Sequence, residues 1–132
     1  MAPAGEKLTA LQGRGVLIVE DDSMVAMILE DMLQELGCHV VGIASRVDTA
    51  LMCIKAENFD IAVLDVNLEG EASYPAADLL ILLHLPFLFA TGYGAQAIPE
   101  KYCQHTVLQK PFRKQEFEDA LLRALREIPG AE

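Results

Sequence analysis

Short apolar runs alternate with amphipathic stretches along the chain. Val16, Leu17, Ile18 and Val19 form a continuous, β-branched run that ends at charge, the pattern of a strand buried on both faces. Asp22 and Ser23 then offer a helix N-cap. Val25, Ile28, Leu29, Met32 and Leu36 follow at helical spacing, and Gly37 supplies a stop. Residues 40–44 read as a second strand, and Val47, Ala50, Leu51 and Ile54 as one face of a second helix. Residues 61–64 are a third strand, ending at Asp65. A loop over 66–73 leads to a third helix over 74–84, with Pro75 tolerated in its first turn. Residues 87–90 are a fourth strand. Gly92, Gly94 and Pro99 make the next segment irregular, with at most a short fourth helix. Residues 106–109 are a fifth strand. Phe117, Ala120, Leu121, Ala124, Leu125 and Ile128 share one stripe of a last helix, closed by Pro129 and Gly130.

Five βα units in series predict an α/β fold, a doubly wound, five-stranded parallel sheet with helices on both faces. The 132 residues, 52% of them hydrophobic, suffice for one domain with a sizeable core. The boundaries read as a loose lead-in over 1–13, a domain over 14–128 and a tail over 129–132. No second domain of output size is expected.

The net charge of −10 disfavours nucleic acid, whose affinity comes largely from phosphate neutralisation, and disfavours anionic membranes. It suits a cation site. The N-terminus has no secretory apolar run, and the longest greasy stretch, 79–90, is interrupted by His84 and Pro86. It falls short of the about 20 residues a bilayer needs, so a cytoplasmic protein is expected. Cys38, Cys53 and Cys103 lack CxxC spacing and read as free thiols packed as small apolar groups. Tyr74 and His84 read as decoration of the third helix, and none of the three histidines has a metal-ligand partner by spacing.

Ligands of open α/β sheets sit at the carboxyl ends of the strands. Those ends carry Glu20, Asp21 and Asp22, then Asp65 followed by Val66 and Asn67, then Thr91 and Gly92, then Lys110 and Pro111. Taken singly, each has a plainer reading: a helix cap, a strand-end acid, a turn threonine, a solvated lysine. Together they are a set in one order. Converging carboxylates repel one another, and a hard divalent cation resolves the conflict, which favours Mg²⁺. Glu20 and Asp21 are the acid pair, Asp21 the more direct ligand, with Asp65 and the Asn67 backbone carbonyl as further contacts. Asp65 is the candidate nucleophile, forming an acyl phosphate. The Lys110 ammonium would neutralise the transferred phosphoryl group, and the Thr91 hydroxyl would donate to one of its oxygens.

From about residue 15 to 128 the sequence resembles the receiver domain of bacterial response regulators. The resemblance is carried by Val16 to Asp22, by Leu64-Asp65-Val66-Asn67-Leu68, by Phe89-Ala90-Thr91-Gly92-Tyr93 and by Gln109-Lys110-Pro111-Phe112. The third of these is similar to the FAT-GUY subgroup. The resemblance implies a flavodoxin-like strand order 2-1-3-4-5, phosphoryl transfer from a histidine kinase, of the HWE type, and slow self-dephosphorylation rather than enzymatic turnover. It carries over Glu20 and Asp21 as acid pocket, Asp65 as phosphoacceptor, Thr91 as switch residue and Lys110 as the characteristic lysine. One position departs: receivers typically place an aromatic switch three residues before the lysine, and Val107 stands there. Tyr93 is the candidate substitute, a surface tyrosine being its other reading. Output would pass to a partner protein, through movement of Thr91 and the 92–94 loop. Three competing classes are weaker. A degenerate receiver would act as a phosphorylation-independent interaction module. A haloacid dehalogenase-type phosphatase would place its metal-binding acids after the lysine. A flavodoxin-like cofactor carrier would need a phosphate-cradling loop after the first strand, where Glu20, Asp21 and Asp22 stand.

Overall fold

The continuous apolar runs become the buried strands of one parallel sheet. In the computed structural model, which describes residues 10–56, 58–92 and 98–127, these are β1 (Gly15–Val19), β2 (His39–Ala44), β3 (Ile61–Leu64), β6 (Phe87–Thr91) and β7 (Val107–Gln109). Their order is β2-β1-β3-β6-β7, with every pairing parallel. This is the predicted 2-1-3-4-5 sheet. Four helices flank it: α1 (Ser23–Glu35), α2 (Val47–Ala56), α3 (Tyr74–Leu82) and α4 (Lys114–Arg126).

Alternate residues of each strand feed two separate cores. Leu17, Val19, Ala62, Leu64, Phe87 and Phe89 pack against α2 and α3. Val16, Ile18, Ile61, Val63, Leu88 and Ala90 pack against α1 and α4. Helices on both faces are therefore what the sheet requires, since neither face is polar.

Capping sets α1 at both ends. The Asp22 carboxylate accepts from the backbone N–H groups of Met24 at 3.0 Å and Val25 at 3.3 Å. At the other end Gly37 adopts φ 91°, donates to the Gln34 carbonyl, and lets Cys38 N–H reach the Leu33 carbonyl at 2.9 Å. This is a Schellman stop, open to glycine because a side chain there is strained. Asp22→Ala is expected to lower the unfolding free energy by about 1 kcal/mol, read from a urea titration. A variant indistinguishable from wild type would show that the cap contributes nothing.

Several expectations are corrected. The buried stripe of α1 is Ala26, Leu29 and Leu33, while Ile28 is 51% exposed. Val25, Met32 and Leu36 of the expected stripe pack half-buried against the same core as Leu29, so the departure is confined to Ile28. The expected loop over 66–73 contains a two-stranded antiparallel hairpin, β4 (Asn67–Leu68) and β5 (Glu71–Ala72). Its turn places Glu69 at φ 52° and Gly70 at φ 87°, a geometry usually announced by Asn-Gly or Asp-Gly. The third helix stops at Leu82, with His84 at φ 59°, and the fifth strand begins at Val107 rather than Thr106. The fourth helix, by contrast, is short as expected: the described residues there form a 3₁₀ turn, Glu100–Tyr102.

Within the segment read as lead-in, Leu11 is fully buried in the α1/α4 core. Gly13 N–H donates to the Gly37 carbonyl at 2.8 Å, and Gly15 N–H to the Asp60 carboxylate at 2.8 Å. The cysteines differ from one another: Cys38 is buried, its thiol donating to the Leu11 carbonyl and pushed up in pKa by burial, whereas Cys103 is exposed rather than packed. Among the described residues, no helix is long and apolar enough to cross a membrane.

Candidate functional site

Parallel register delivers the chemistry to one edge. Asp65 N–H donates to the Val19 carbonyl at 2.8 Å, which sets Asp65 beside the end of β1 where Glu20 and Asp21 follow. Glu20 N–H is held by the Ala44 carbonyl at 2.9 Å. Lys110 N–H donates to the Thr91 carbonyl at 2.8 Å, so the lysine leaves the sheet level with Thr91. The peptide between Lys110 and Pro111 is cis.

These placements bring carboxylate oxygens of Glu20, Asp21 and Asp65 within 4.8 Å of one another. The Lys110 ammonium lies 2.6 Å from Glu20 Oε1 and 3.4 Å from Asp65 Oδ2. The cluster forms one wall of a cleft of about 430 Å³, which Asn67 and Gly92 also line. Three carboxylates against one ammonium leave an excess of negative charge. Glu20 is only 3% exposed. Burial pushes its carboxyl up, Lys110 opposes this by hydrogen bonding, and the Asp65 charge adds to the rise. An all-oxygen donor set with surplus negative charge fits a hard divalent cation of the Mg²⁺ type.

Most of the predicted residues meet here. Asp21 is half-buried, and its Oδ2 accepts from Glu69 N–H at 2.8 Å, so the β4–β5 turn is fastened to the acid pair. Thr91 ends β6, fully buried, opposite Gln109 in register. Asn67, exposed, begins β4 at the rim. Tyr93 lies outside the described residues. Val107 is half-buried and sits opposite Phe89, against the α2/α3 core.

Ser73 went unnoticed in the sequence, where it read only as the end of a loop. It is fully buried; its N–H donates to the Val66 carbonyl at 2.8 Å and its hydroxyl to the Asp65 carbonyl at 2.6 Å. A lone serine before a helix signals a cap, but here its partner is the strand end. Tyr74 does not decorate a surface. It stacks on Tyr102 with centroids 5.2 Å apart and meets Phe89 edge-on at 6.2 Å. Neither contact has a signature in sequence spacing.

A family model described as "Response regulator receiver domain" matches residues 16–122. Among solved structures, the chain is similar to SdrG from Sphingomonas melonis Fr1, with 38% identity, a TM-score of 0.77, and coverage of 89% of this chain and 99% of that one. Among curated proteins it is similar to the phyllosphere-induced regulator PhyR of Methylorubrum extorquens, 28% identical over 92% of this chain and 47% of that protein. The chain spans about half the length of several curated relatives it matches. The receiver domain of a sensor histidine kinase from Pseudomonas aeruginosa PAO1, solved with magnesium coordinated in its active-site cleft, shares the fold at a TM-score of 0.72 and 22% identity, covering 86% of this chain and 98% of that one.

Proposed function

The chain belongs to the response regulator receiver domain family, and on that premise we propose that it accepts a phosphoryl group on Asp65 from a histidine kinase and thereby switches a protein-binding surface. The observation that carries the reading is the convergence of Glu20, Asp21 and Asp65 within 4.8 Å, with Lys110 bridging two of them. The receiver unit of 14–128 would act in the cytoplasm. The run from Phe89 to Tyr93 supports membership of the FAT-GUY subgroup, and with it a donor kinase of the HWE type.

Asp21, Asp65 and the Asn67 backbone carbonyl would hold Mg²⁺, with Glu20 supporting them, and the ion would supply positive charge that offsets the charge of the phosphoryl oxygens. An Asp65 carboxylate oxygen attacks phosphorus, the phosphorus–nitrogen bond of the donor breaks, and the histidine leaves with its electron pair. Lys110 already stands 3.4 Å from Asp65 Oδ2, so its ammonium is placed to follow the negative charge as it moves onto the phosphoryl group. The buried Thr91 hydroxyl donates to a phosphoryl oxygen and pulls the end of β6 toward the site. Turnover of a separate substrate forms no part of the reading.

Intact-mass measurement after incubation with acetyl phosphate and Mg²⁺ tests it. Wild type is expected to gain one phosphoryl group, lost with EDTA, and Asp65→Asn none. Some receivers ignore small donors, so BeF₃⁻ binding in the presence of Mg²⁺ is the second arm. If wild type takes neither, the second reading stands: a phosphorylation-independent interaction module, favoured by Val107 in place of an aromatic.

A further inference from the structure

Helix α3 is fastened to both halves of the site. At its start, buried Ser73 binds the carbonyls of Asp65 and Val66. At the next residue, Tyr74, it is tied to β6 through aromatic rings. Tyr74 and Tyr102 stack at 5.2 Å with planes 17° apart, and both meet Phe89 edge-on, at 6.2 and 5.6 Å. Phe89 lies two residues before Thr91 on β6 and therefore on the same face of the strand. Tyr102 is 1% exposed, and its hydroxyl donates to Asp78 Oδ1 on α3 at 2.6 Å. Lys101 shares that carboxylate at 3.4 Å and lies 5.1 Å above the Tyr102 ring. The aromatic mass that Val107 does not supply is thus present around Phe89, but it comes from the 3₁₀ turn and from α3.

Resting on the phosphoacceptor reading, we infer that the Tyr102–Asp78 hydrogen bond couples the occupied Asp65 site to α3, making the exposed side of α3, with Asp78 and Leu82, a surface that changes on activation. A hydroxyl bonded to a carboxylate is stronger than a neutral pair. Burial and the Asp78 charge hold the Tyr102 phenol well above its ordinary value, so it remains a donor throughout the physiological range. Interlocked rings respond by changing packing rather than by graded bending, because close-packed interiors deform little. Displacement of the β6 end therefore passes through Phe89 to Tyr102 and, by the hydroxyl, to Asp78. Tyr102 is a positioning residue in this scheme and touches no reacting atom.

The test is amide NMR of the full chain with Mg²⁺, with and without BeF₃⁻, on wild type, Tyr102→Phe and Asp78→Ala. Tyr102→Phe keeps the ring, and Asp78 is a surface carboxylate, so the two variants break one bond from opposite ends. Wild type is expected to shift at Asp65, at Lys110 and along residues 74–82. Both variants are expected to keep the shifts and affinity at Asp65 and Lys110 and the shifts at residues 74–76, which Ser73 and Tyr74 tie directly to the site, and to lose most of the shift along residues 78–82. Variants that shift along α3 as wild type does overturn the inference, as does a wild type that responds at Asp65 and Lys110 with α3 unmoved; the phosphoacceptor reading survives either. No response anywhere in wild type overturns both.

Discussion

Lys110→Ala is expected to destabilise the metal-free protein by about 2–3 kcal/mol and to slow phosphorylation of Asp65 about 100-fold. Glu20 is 3% exposed and its principal cationic partner is the Lys110 ammonium at 2.6 Å. Removing one member of a buried pair leaves the other charge uncompensated, a loss of about 3–5 kcal/mol when both are fully buried. The Lys110 side chain is 21% exposed, so water screens part of it and the smaller figure applies. The loss depends on pH in a defined direction. The folded Glu20 carboxyl already lies above its ordinary value of 4.5 because of burial, and without the lysine it rises further. A raised acid binds its proton more tightly in the folded than in the unfolded chain. The variant therefore keeps its stability below 4.5 and loses it as pH rises through the folded value. Mg²⁺ at about 100 times its dissociation constant returns about 2.7 kcal/mol to any form that still binds it. Urea titrations at pH 4 and pH 8, with EDTA and with Mg²⁺, read all three effects. A variant as stable as wild type at pH 8 in EDTA would show that the ion pair is only a surface contact.

Leu11→Ala is expected to cost about 3 kcal/mol, the usual range for a fully buried leucine being about 2–5 kcal/mol. Leu11 is 0% exposed and packs in the core formed by the sheet, α1 and α4. Its carbonyl accepts from Arg14 N–H at 3.0 Å and from the Cys38 thiol at 3.3 Å. Truncation opens a void beside Cys38, so a thiol reagent should reach that cysteine faster than in wild type, where burial keeps the thiol protonated. Cys103, exposed in both, is the internal reference for labelling. A urea midpoint changed by less than about 0.5 kcal/mol equivalent would mean that residues 10–13 belong to a loose lead-in.

The contrast between these two sites shows where sequence reading worked. Glu20, Asp65 and Lys110 were legible because each directly follows a strand, and parallel strands of one sheet must end at one edge. Leu11 was not, because Leu8 and Leu11 are too short a pattern to reveal which core Leu11 fills. Ile28 misled for a related reason: hydrophobic spacing locates a stripe to within about one helical position, and 51% of Ile28 is exposed while its neighbour Leu29 is buried. The 69–70 turn hid behind a glutamate in a conformation for which glycine and asparagine are the usual signal.

The sequence of apolar runs determined a parallel sheet between two helical layers and the identity of the acids and the lysine at its edge, because continuous apolar runs of strand length can be buried only between such layers; the strand order came from the family resemblance and is seen in the fold. Distance in the fold decided the rest. That Ser73 holds the Asp65 carbonyl, that Asp21 is fastened to the Glu69 amide, and that Tyr102 reaches Asp78 are contacts spanning 8, 48 and 24 residues. Such contacts follow from how α3 and the 67–72 hairpin pack on the sheet. Packing between elements leaves no periodicity along the chain, so these partners became visible only when the elements were in place.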